Sequence, residues 1–172
     1  MDNLTTRAFT ALLVLILVMA TLLFIPAGTL DYWQAWTFLI VYFSVSVAIT
    51  LYLVKYDQKL LQRRMSGGPA AEKETTQKIV MSIVSVGFIG LLIVPALDRR
   101  FEWSHMPALA ALAGEALMLL AWLAIFFVFK ENTFTSATIE LAPEQKVIST
   151  GPYALVRHPM YAAGLVLSLI HI

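Results

Sequence analysis

Long apolar runs separated by short polar segments make up most of the chain, and four of these runs could each cross a membrane. They extend over residues 8–25, 32–54, 79–97 and 107–129, and a charge interrupts only the last, at Glu115. A helix needs about 20 apolar residues to cross a hydrocarbon core of about 30 Å. In lipid, each backbone polar group must find its partner within its own helix. The pattern therefore predicts four membrane-spanning helices.

A fifth apolar run occupies residues 159–172 and is shorter than the others. Its 14 residues rise only about 21 Å as a helix, which is less than the bilayer core. We expect the chain to end inside this helix. The predicted fold is an all-α, polytopic transmembrane helical bundle, one domain of residues 1–172 with four full spans, the start of a fifth and an incomplete carboxyl terminus.

Composition supports a lipid-facing exterior and excludes several classes of protein. The chain is 59% apolar and 13% charged, whereas a soluble domain carries about 25% charged residues. This excludes a cytosolic enzyme, a nucleic-acid binder and a disordered chain. The chain has no cysteine, so thiolate ligands and cysteine nucleophiles are excluded as well. His105 and His171 lack partners at a usable spacing, and we assign no metal site.

The distribution of basic residues predicts an orientation in the membrane. With a cytoplasmic amino terminus, ten of the twelve Lys and Arg residues lie in cytoplasmic segments, and only Arg99 and Arg100 lie outside. The positive-inside rule therefore favours a cytoplasmic amino terminus. The same rule makes the segment 130–159 cytoplasmic.

The basic loop 55–78 permits two interpretations. Gly67-Gly68-Pro69 breaks any helix that continues from the second span. The favoured interpretation is a solvated basic loop, and the alternative is a short interfacial helix that touches anionic headgroups.

The candidate chemistry lies just before the fifth apolar run. Pro159 suits the first turn of a helix, and the free amides that follow can bind an anion. Arg157 adds a permanent cation there, and His158 adds a titratable donor. Tyr153 and Tyr161 offer ring faces to a ligand cation. The set fits a zwitterion, but from the residues alone the favoured interpretation is that Arg157 and His158 are a snorkelling, positive-inside pair at the membrane boundary.

The same residues resemble a known family signature. Gly151-Pro152-Tyr153, followed by Arg157-His158-Pro159-Met160-Tyr161 and Gly164, resembles the isoprenylcysteine carboxyl methyltransferase family, whose relatives include phospholipid N-methyltransferases. Residues 26–33 and 131–148 resemble bacterial members. The resemblance implies a polytopic enzyme of the bacterial inner membrane that uses S-adenosylmethionine.

The resemblance also implies roles for particular residues. Arg157 and His158 become the catalytic candidates, with Arg157 orienting an anionic group. The family's later glutamate pair and arginine do not occur in these 172 residues, so we expect this chain by itself to be inactive. The implied cofactor contacts are Gln145, Lys146, Val147, Ile148, Tyr153, His158, Pro159, Met160 and Tyr161.

Three functions follow, in order of preference. The first is methylation of a carboxylate on a lipid-like or prenylated substrate that enters from the bilayer. The second is phospholipid N-methylation, in which the amine must first lose a proton and His158 is the nearby base. The third is a non-catalytic membrane module or a transporter fragment centred on Glu115. For Glu115 itself, the preferred interpretation is a protonated carboxyl group that is hydrogen-bonded to a neighbouring helix.

Overall fold

The computed structural model describes residues 3–67, 69–72, 74–135 and 147–169, and this part of the chain is helical without any β-strand. Four of its helices are long and apolar enough to cross a membrane, which confirms the predicted all-α bundle. The helices are α1 (Asn3–Ala27), α2 (Trp33–Tyr56), α3 (Gln58–Met65), α4 (Thr75–Phe101), α5 (Ala108–Glu131), α6 (Pro152–Leu155) and α7 (Pro159–Leu169), with one turn of 3-10 helix at Pro69–Ala71.

Helix α4 shows why the spans extend beyond the apolar runs. It begins at Thr75 and ends at Phe101, several residues outside the run 79–97, because adding a residue to an existing helix costs little. Its end is closed by Glu102, which adopts the left-handed conformation and donates its N–H to the carbonyl of Asp98 at 2.7 Å. The helix therefore stops at a backbone cap rather than at the end of the apolar run.

The helices pack around a shared interior, and their contacts do not follow the order of the chain. Helix α1 contacts α2 and α4, α2 contacts α5, and α5 contacts α7. We call the end where α2 and α5 finish and α4 and α7 begin the α3 end, and the end that holds the loop between α1 and α2 the opposite end. One buried cluster lies toward the opposite end and contains Met19, Leu23, Ala35, Ala96 and Met118. A second lies at the α3 end and contains Ala8, Leu53, Leu60, Ile125, Phe129 and Ala163.

The segment favoured as a solvated basic loop contains helix α3 instead. The Asp57 N–H donates to the carbonyl of Leu53 at 2.9 Å, and the Asp57 side chain accepts from the Leu60 N–H at 2.9 Å. One residue therefore ends α2 and caps α3. Leu60 is 0% and Leu61 is 5% exposed, so α3 is anchored by two leucines. Burial of these two side chains stabilises the helix against the bundle, although most other residues of α3 are polar or charged and favour water.

The outward faces of the long helices are strongly apolar. Ile25, Ile83, Val86 and Leu109 are each at least 67% exposed. A soluble protein rarely exposes contiguous apolar surface on this scale. The described chain is therefore a membrane-spanning protein whose helices face lipid.

Candidate functional site

The bundle contains a large apolar cavity that is partly open to its surroundings. Its volume is about 1040 Å³, and all four long helices together with α3 and α7 line it. Phe38 and Leu92 line it toward the opposite end, while Leu61 and Met160 line it at the α3 end. A volume of this size is at the upper end of the range for small-molecule pockets.

Helix α2 contributes a continuous stripe to this cavity. Phe38, Tyr42, Ser46, Thr50 and Leu53 all line it. They recur at intervals of three or four residues and so lie on one helix face. The stripe covers 15 residue steps, which correspond to about 22 Å along the helix axis. The cavity is therefore elongated along the bundle.

A tryptophan on α5 carries an unsatisfied donor beside this stripe. The ring of Trp122 meets the ring of Tyr42 edge-on, with centroids 5.3 Å apart, and both residues line the cavity. The indole Nε1 is buried and has no hydrogen-bond partner among the described residues. A buried N–H without a partner is costly, so Trp122 leaves an unsatisfied donor where α5 packs against α2.

Arg64 contributes a positive charge at the α3 end of the cavity. It lines the cavity, and its guanidinium lies 5.0 Å from the ring centroid of Phe129. Burial lowers the pKa of the Arg64 guanidinium from its ordinary value, yet an arginine remains charged near neutral pH. Sequence analysis placed Arg64 in a basic loop. Its spacing of four and three residues from Leu60 and Leu61 is the signal that puts it on the buried face.

The start of α7 brings several predicted site residues together. The carbonyl of His158 accepts the first hydrogen bond of the helix, from the Ala162 N–H at 3.1 Å. The rings of His158 and Tyr161 stack with centroids 5.6 Å apart, and both side chains are exposed. Pro159 is buried, and the half-buried Met160 lines the cavity. The start of α7 thus joins an exposed aromatic pair to the apolar interior.

Tyr153 is held in place by the end of α5. Its hydroxyl accepts a hydrogen bond from Asn132 Nδ2 at 2.7 Å, which leaves the O–H donor and the half-buried ring to contact a ligand. Three residues earlier in the chain, the Thr150 hydroxyl donates a hydrogen bond to the Glu131 carboxylate. The intervening Gly151 has a φ of +56°. Sequence analysis missed Asn132, Thr150 and Glu131, because nothing in their local sequence indicates that the two segments pair.

The remaining predicted residues are less enclosed. The side chain of Val147 is 99% exposed, Ile148 is half-buried, and Arg157 is exposed. The structure therefore does not place Val147 in a pocket. Gln145 and Lys146 lie outside the described residues.

Glu115 lies in the opposite half of the bundle. Its Oε1 accepts a hydrogen bond from the Thr37 hydroxyl at 3.3 Å, which confirms the predicted bond to a neighbouring helix. Its Oε2 is buried without a partner in the described chain. The described residues hold no cluster of three or more His, Asp or Glu side chains arranged for a metal.

A small polar pocket of about 150 Å³ lies at the opposite end, between the loop before α2 and the end of α4. Tyr32 in that loop is 3% exposed. Burial, followed by the nearby Asp98 carboxylate, raises the pKa of the Tyr32 hydroxyl to about 12. His105 also lines this pocket, far along the bundle from His158.

Fold and cavity together define a multi-pass helical membrane protein with an apolar interior cavity and polar residues at one end. Comparison of the chain with protein-family models, curated proteins and solved structures finds no match.

Proposed function

We propose that the protein is an S-adenosylmethionine-dependent membrane methyltransferase that acts on a carboxylate of a lipid-like or prenylated substrate. The supporting observation is the start of α7, where the exposed rings of His158 and Tyr161 lie within two residues of Met160, which lines the cavity. A polar cofactor and an apolar substrate could meet at such a boundary. The resemblance carried by residues 151–164 points to the same chemistry.

The described side chains fit one side of the cofactor. The stacked rings of His158 and Tyr161 are exposed, and an aromatic face attracts a sulfonium cation. Arg157 is exposed next to them and can bind a carboxylate through two parallel hydrogen bonds. S-adenosylmethionine, when bound, supplies a methyl group that is open to nucleophilic attack. Tyr153 contributes its ring, which the hydrogen bond from Asn132 to its hydroxyl helps to hold in place.

The protein's own role in methyl transfer is alignment and exclusion of water. In-line displacement depends on holding the reacting atoms in a near-attack geometry. The cavity is lined mainly by apolar side chains, so a carboxylate at its mouth loses water. A carboxylate that reacts with a cation loses charge, and a dry site favours that step without a dedicated base. Arg157 orients the anionic group in this scheme.

Phospholipid N-methylation is the second candidate, and His158 is the observation that favours it. An amine must lose a proton before it attacks, and His158 is an exposed imidazole at the site. The two reactions differ in product. A methyl ester releases methanol on treatment with base, and an N-methyl group does not.

Cofactor titration of matched variants tests the proposal. We expect His158→Ala to weaken S-adenosylmethionine binding about tenfold or more in nanodiscs, because a lost hydrogen bond to a charged group costs about 1.5 to 3 kcal/mol. His105→Ala makes the same change at the opposite end and should leave the affinity unchanged. Glu115→Gln should also have little effect.

Melting of each variant checks that it is folded. A large loss for Glu115→Gln, with none for His158→Ala, contradicts the proposal and moves the functional centre to Glu115. That result favours a transporter or another non-catalytic membrane protein.

A further inference from the structure

The small polar pocket at the opposite end of the bundle is not used by any step of the proposed methyl transfer. The loop before α2 contributes Tyr32 to its wall, α4 contributes Asp98, and Glu102, the residue that closes α4, lines it as well. Its volume of about 150 Å³ holds only a few water molecules. The pocket therefore suits one small polar group and not an acyl chain.

Tyr32 supplies a hydrogen-bonding group that the protein itself leaves unused. The residue is only 3% exposed and lines the pocket, and its hydroxyl forms no hydrogen bond with any described residue. Burial, followed by the nearby Asp98 carboxylate, raises the pKa of this hydroxyl to about 12. The hydroxyl therefore stays neutral and keeps both its proton and its lone pairs. A buried polar group without a partner is costly, and a polar ligand in the pocket removes that cost.

The charges around the pocket favour a cation. Asp98 and Glu102 line it together with a single guanidinium, that of Arg99. Arg99 is directed toward Asp31, because its Nη2 donates to the Asp31 carbonyl at 3.2 Å and lies 4.0 Å from the Asp31 carboxylate. No described Lys or Arg forms a salt bridge with Asp98 or Glu102. His105 also lines the pocket and adds charge only when it is protonated. With His105 neutral, the net charge of the pocket is negative and attracts a cation.

Asp98 is held in position and still has capacity to accept hydrogen bonds. One of its oxygens accepts the Ser104 N–H and the other accepts the Ser104 hydroxyl, each at 2.7 Å. A carboxylate has about four lone-pair positions, so about half of them stay open. The half-buried carboxylate is therefore fixed at the pocket without being saturated.

We propose that this pocket binds one primary ammonium group, whose N–H bonds are donated to Asp98, Glu102 and the Tyr32 hydroxyl. A primary ammonium has three donors and no acceptor. Two carboxylates and one neutral hydroxyl match that number of donors, and the carboxylates neutralise its charge.

The lining residues favour a primary ammonium over other cations. A divalent metal needs several ligands, and the described residues hold no group of three or more His, Asp or Glu side chains arranged for one. A quaternary ammonium has no N–H to donate and is bound by several aromatic faces. Among the described residues that line the pocket, Tyr32 is accompanied by no Phe or Trp.

The pocket lies beside residues typical of the membrane surface, which gives the ammonium group two sources. Trp33 follows Tyr32 in the chain and is 42% exposed, and Trp103 follows Glu102 and is 63% exposed. Tryptophan is enriched at the level of the lipid headgroups. An aminophospholipid and a free alkylamine could therefore both present the same group, and separate titrations distinguish them.

Carbon-13 NMR of the tyrosine Cζ atoms tests binding, because Tyr32 lies in the pocket wall. The protein has six tyrosines, and the signal that is lost in Tyr32→Phe identifies Tyr32. In nanodiscs of phosphatidylcholine, which has no primary amine, ethylammonium should shift the Tyr32 signal saturably. Tetramethylammonium should bind at least about tenfold more weakly, because it has no N–H to donate.

A second titration replaces phosphatidylcholine with phosphatidylethanolamine in the nanodiscs. A Tyr32 shift with this lipid and none with ethylammonium assigns a lipid headgroup, and the reverse assigns a free amine. Each of these results supports the primary ammonium site.

Variants test the carboxylates. Asp98→Asn should weaken binding of the ammonium about tenfold or more. Glu102→Gln should also weaken it, and this variant leaves both bonds between Ser104 and Asp98 intact. Glu74→Gln is the control, because it removes an exposed carboxylate at the α3 end and should leave binding unchanged. Melting checks that each variant is folded.

The proposal is overturned if the Tyr32 signal responds to neither amine, since the pocket then holds water alone. It is also overturned if tetramethylammonium binds as well as ethylammonium, or if Asp98→Asn and Glu102→Gln both bind as Glu74→Gln does.

Discussion

Replacing Gly151 with alanine is the most direct test of how the segment before α7 is held. Gly151 has φ +56° and ψ −134°, a combination that residues with a Cβ rarely adopt. A Cβ at this position would lie 3.1 Å from Cδ and Oε2 of Glu131. The substitution therefore combines backbone strain with displacement of a carboxylate that accepts a hydrogen bond from Thr150.

Backbone strain at residue 151 should account for most of the free energy that Gly151→Ala costs. Holding a non-glycine residue in such a region costs about 1 to 3 kcal/mol. Glu131 is exposed, so its flexible side chain can move aside, and a hydrogen bond in water is worth only about 0.5 to 1.5 kcal/mol. Glu131→Ala should therefore restore only the smaller part of the loss in the double variant.

The strain should be released locally rather than by unfolding the bundle. Helix α6 has no buried residue, and Leu155 is 88% exposed, so apart from the hydrogen bond between Asn132 and Tyr153 little holds this helix against the bundle. Detaching it relieves the strain at small cost. We expect the melting temperature of Gly151→Ala to change little while amides 153–156 exchange faster, by about 5- to 150-fold for 1 to 3 kcal/mol.

Hydrogen exchange followed by mass spectrometry measures this difference peptide by peptide. Gly164→Ala is the control, because an added Cβ there meets nothing and Gly164 lies within a helix. Unchanged exchange at residues 153–156 in Gly151→Ala would refute the argument. Full restoration by Glu131→Ala would show that steric conflict with the carboxylate, not backbone strain, determines the cost.

Three further predictions concern orientation, helix pairing and pH. Single cysteines at Ser66 and Ser104 in this cysteine-free chain should label from opposite sides of sealed cells; labelling from one side contradicts the proposed cytoplasmic amino terminus. Thr37→Val should lower the free energy of unfolding by about 0.5 to 1.5 kcal/mol, and by much less in a Glu115→Ala background, as denaturation in mixed micelles would measure. The pKa of Tyr32 is raised to about 12 from 10.0, so the contribution of its buried neutral hydroxyl to stability is complete below pH 10 and is lost as pH rises toward 12. Tyr32→Phe should therefore lose less stability over that range, and a difference titration of the two proteins at 295 nm should show ionisation of Tyr32 above pH 10.

The long helices could be predicted because lipid makes one local property decisive. A run such as 79–97 contains no charge, and a backbone in lipid has few alternatives to a helix. The ends of α4 at Thr75 and Phe101 could not be predicted from hydropathy, because lipid does not constrain the backbone there. They lie where water returns, and there the position of a cap such as Glu102 decides where the helix stops.

Helix α3 shows how the same reasoning fails near the surface. Its eight residues are mostly polar, so neither length nor mean hydropathy distinguishes it from a loop. The decisive features are the Asp57 cap and the two buried leucines, Leu60 and Leu61. Only tertiary packing shows that these leucines have a core to enter.

The candidate site was predictable where its residues are adjacent in sequence and not where they come from separate segments. His158 immediately precedes α7 and Tyr161 lies in its first turn, three positions later, so their pairing follows from the local geometry of the helix start. Arg64 meets Phe129 across 65 positions, and Glu131 meets Gly151 across 20. No local pattern indicates such pairs, because they depend on which helix ends lie at the same level of the bundle. Arg157, prominent in its motif, is exposed, whereas Arg64, one of several charges in a basic segment, is half-buried and lines the cavity.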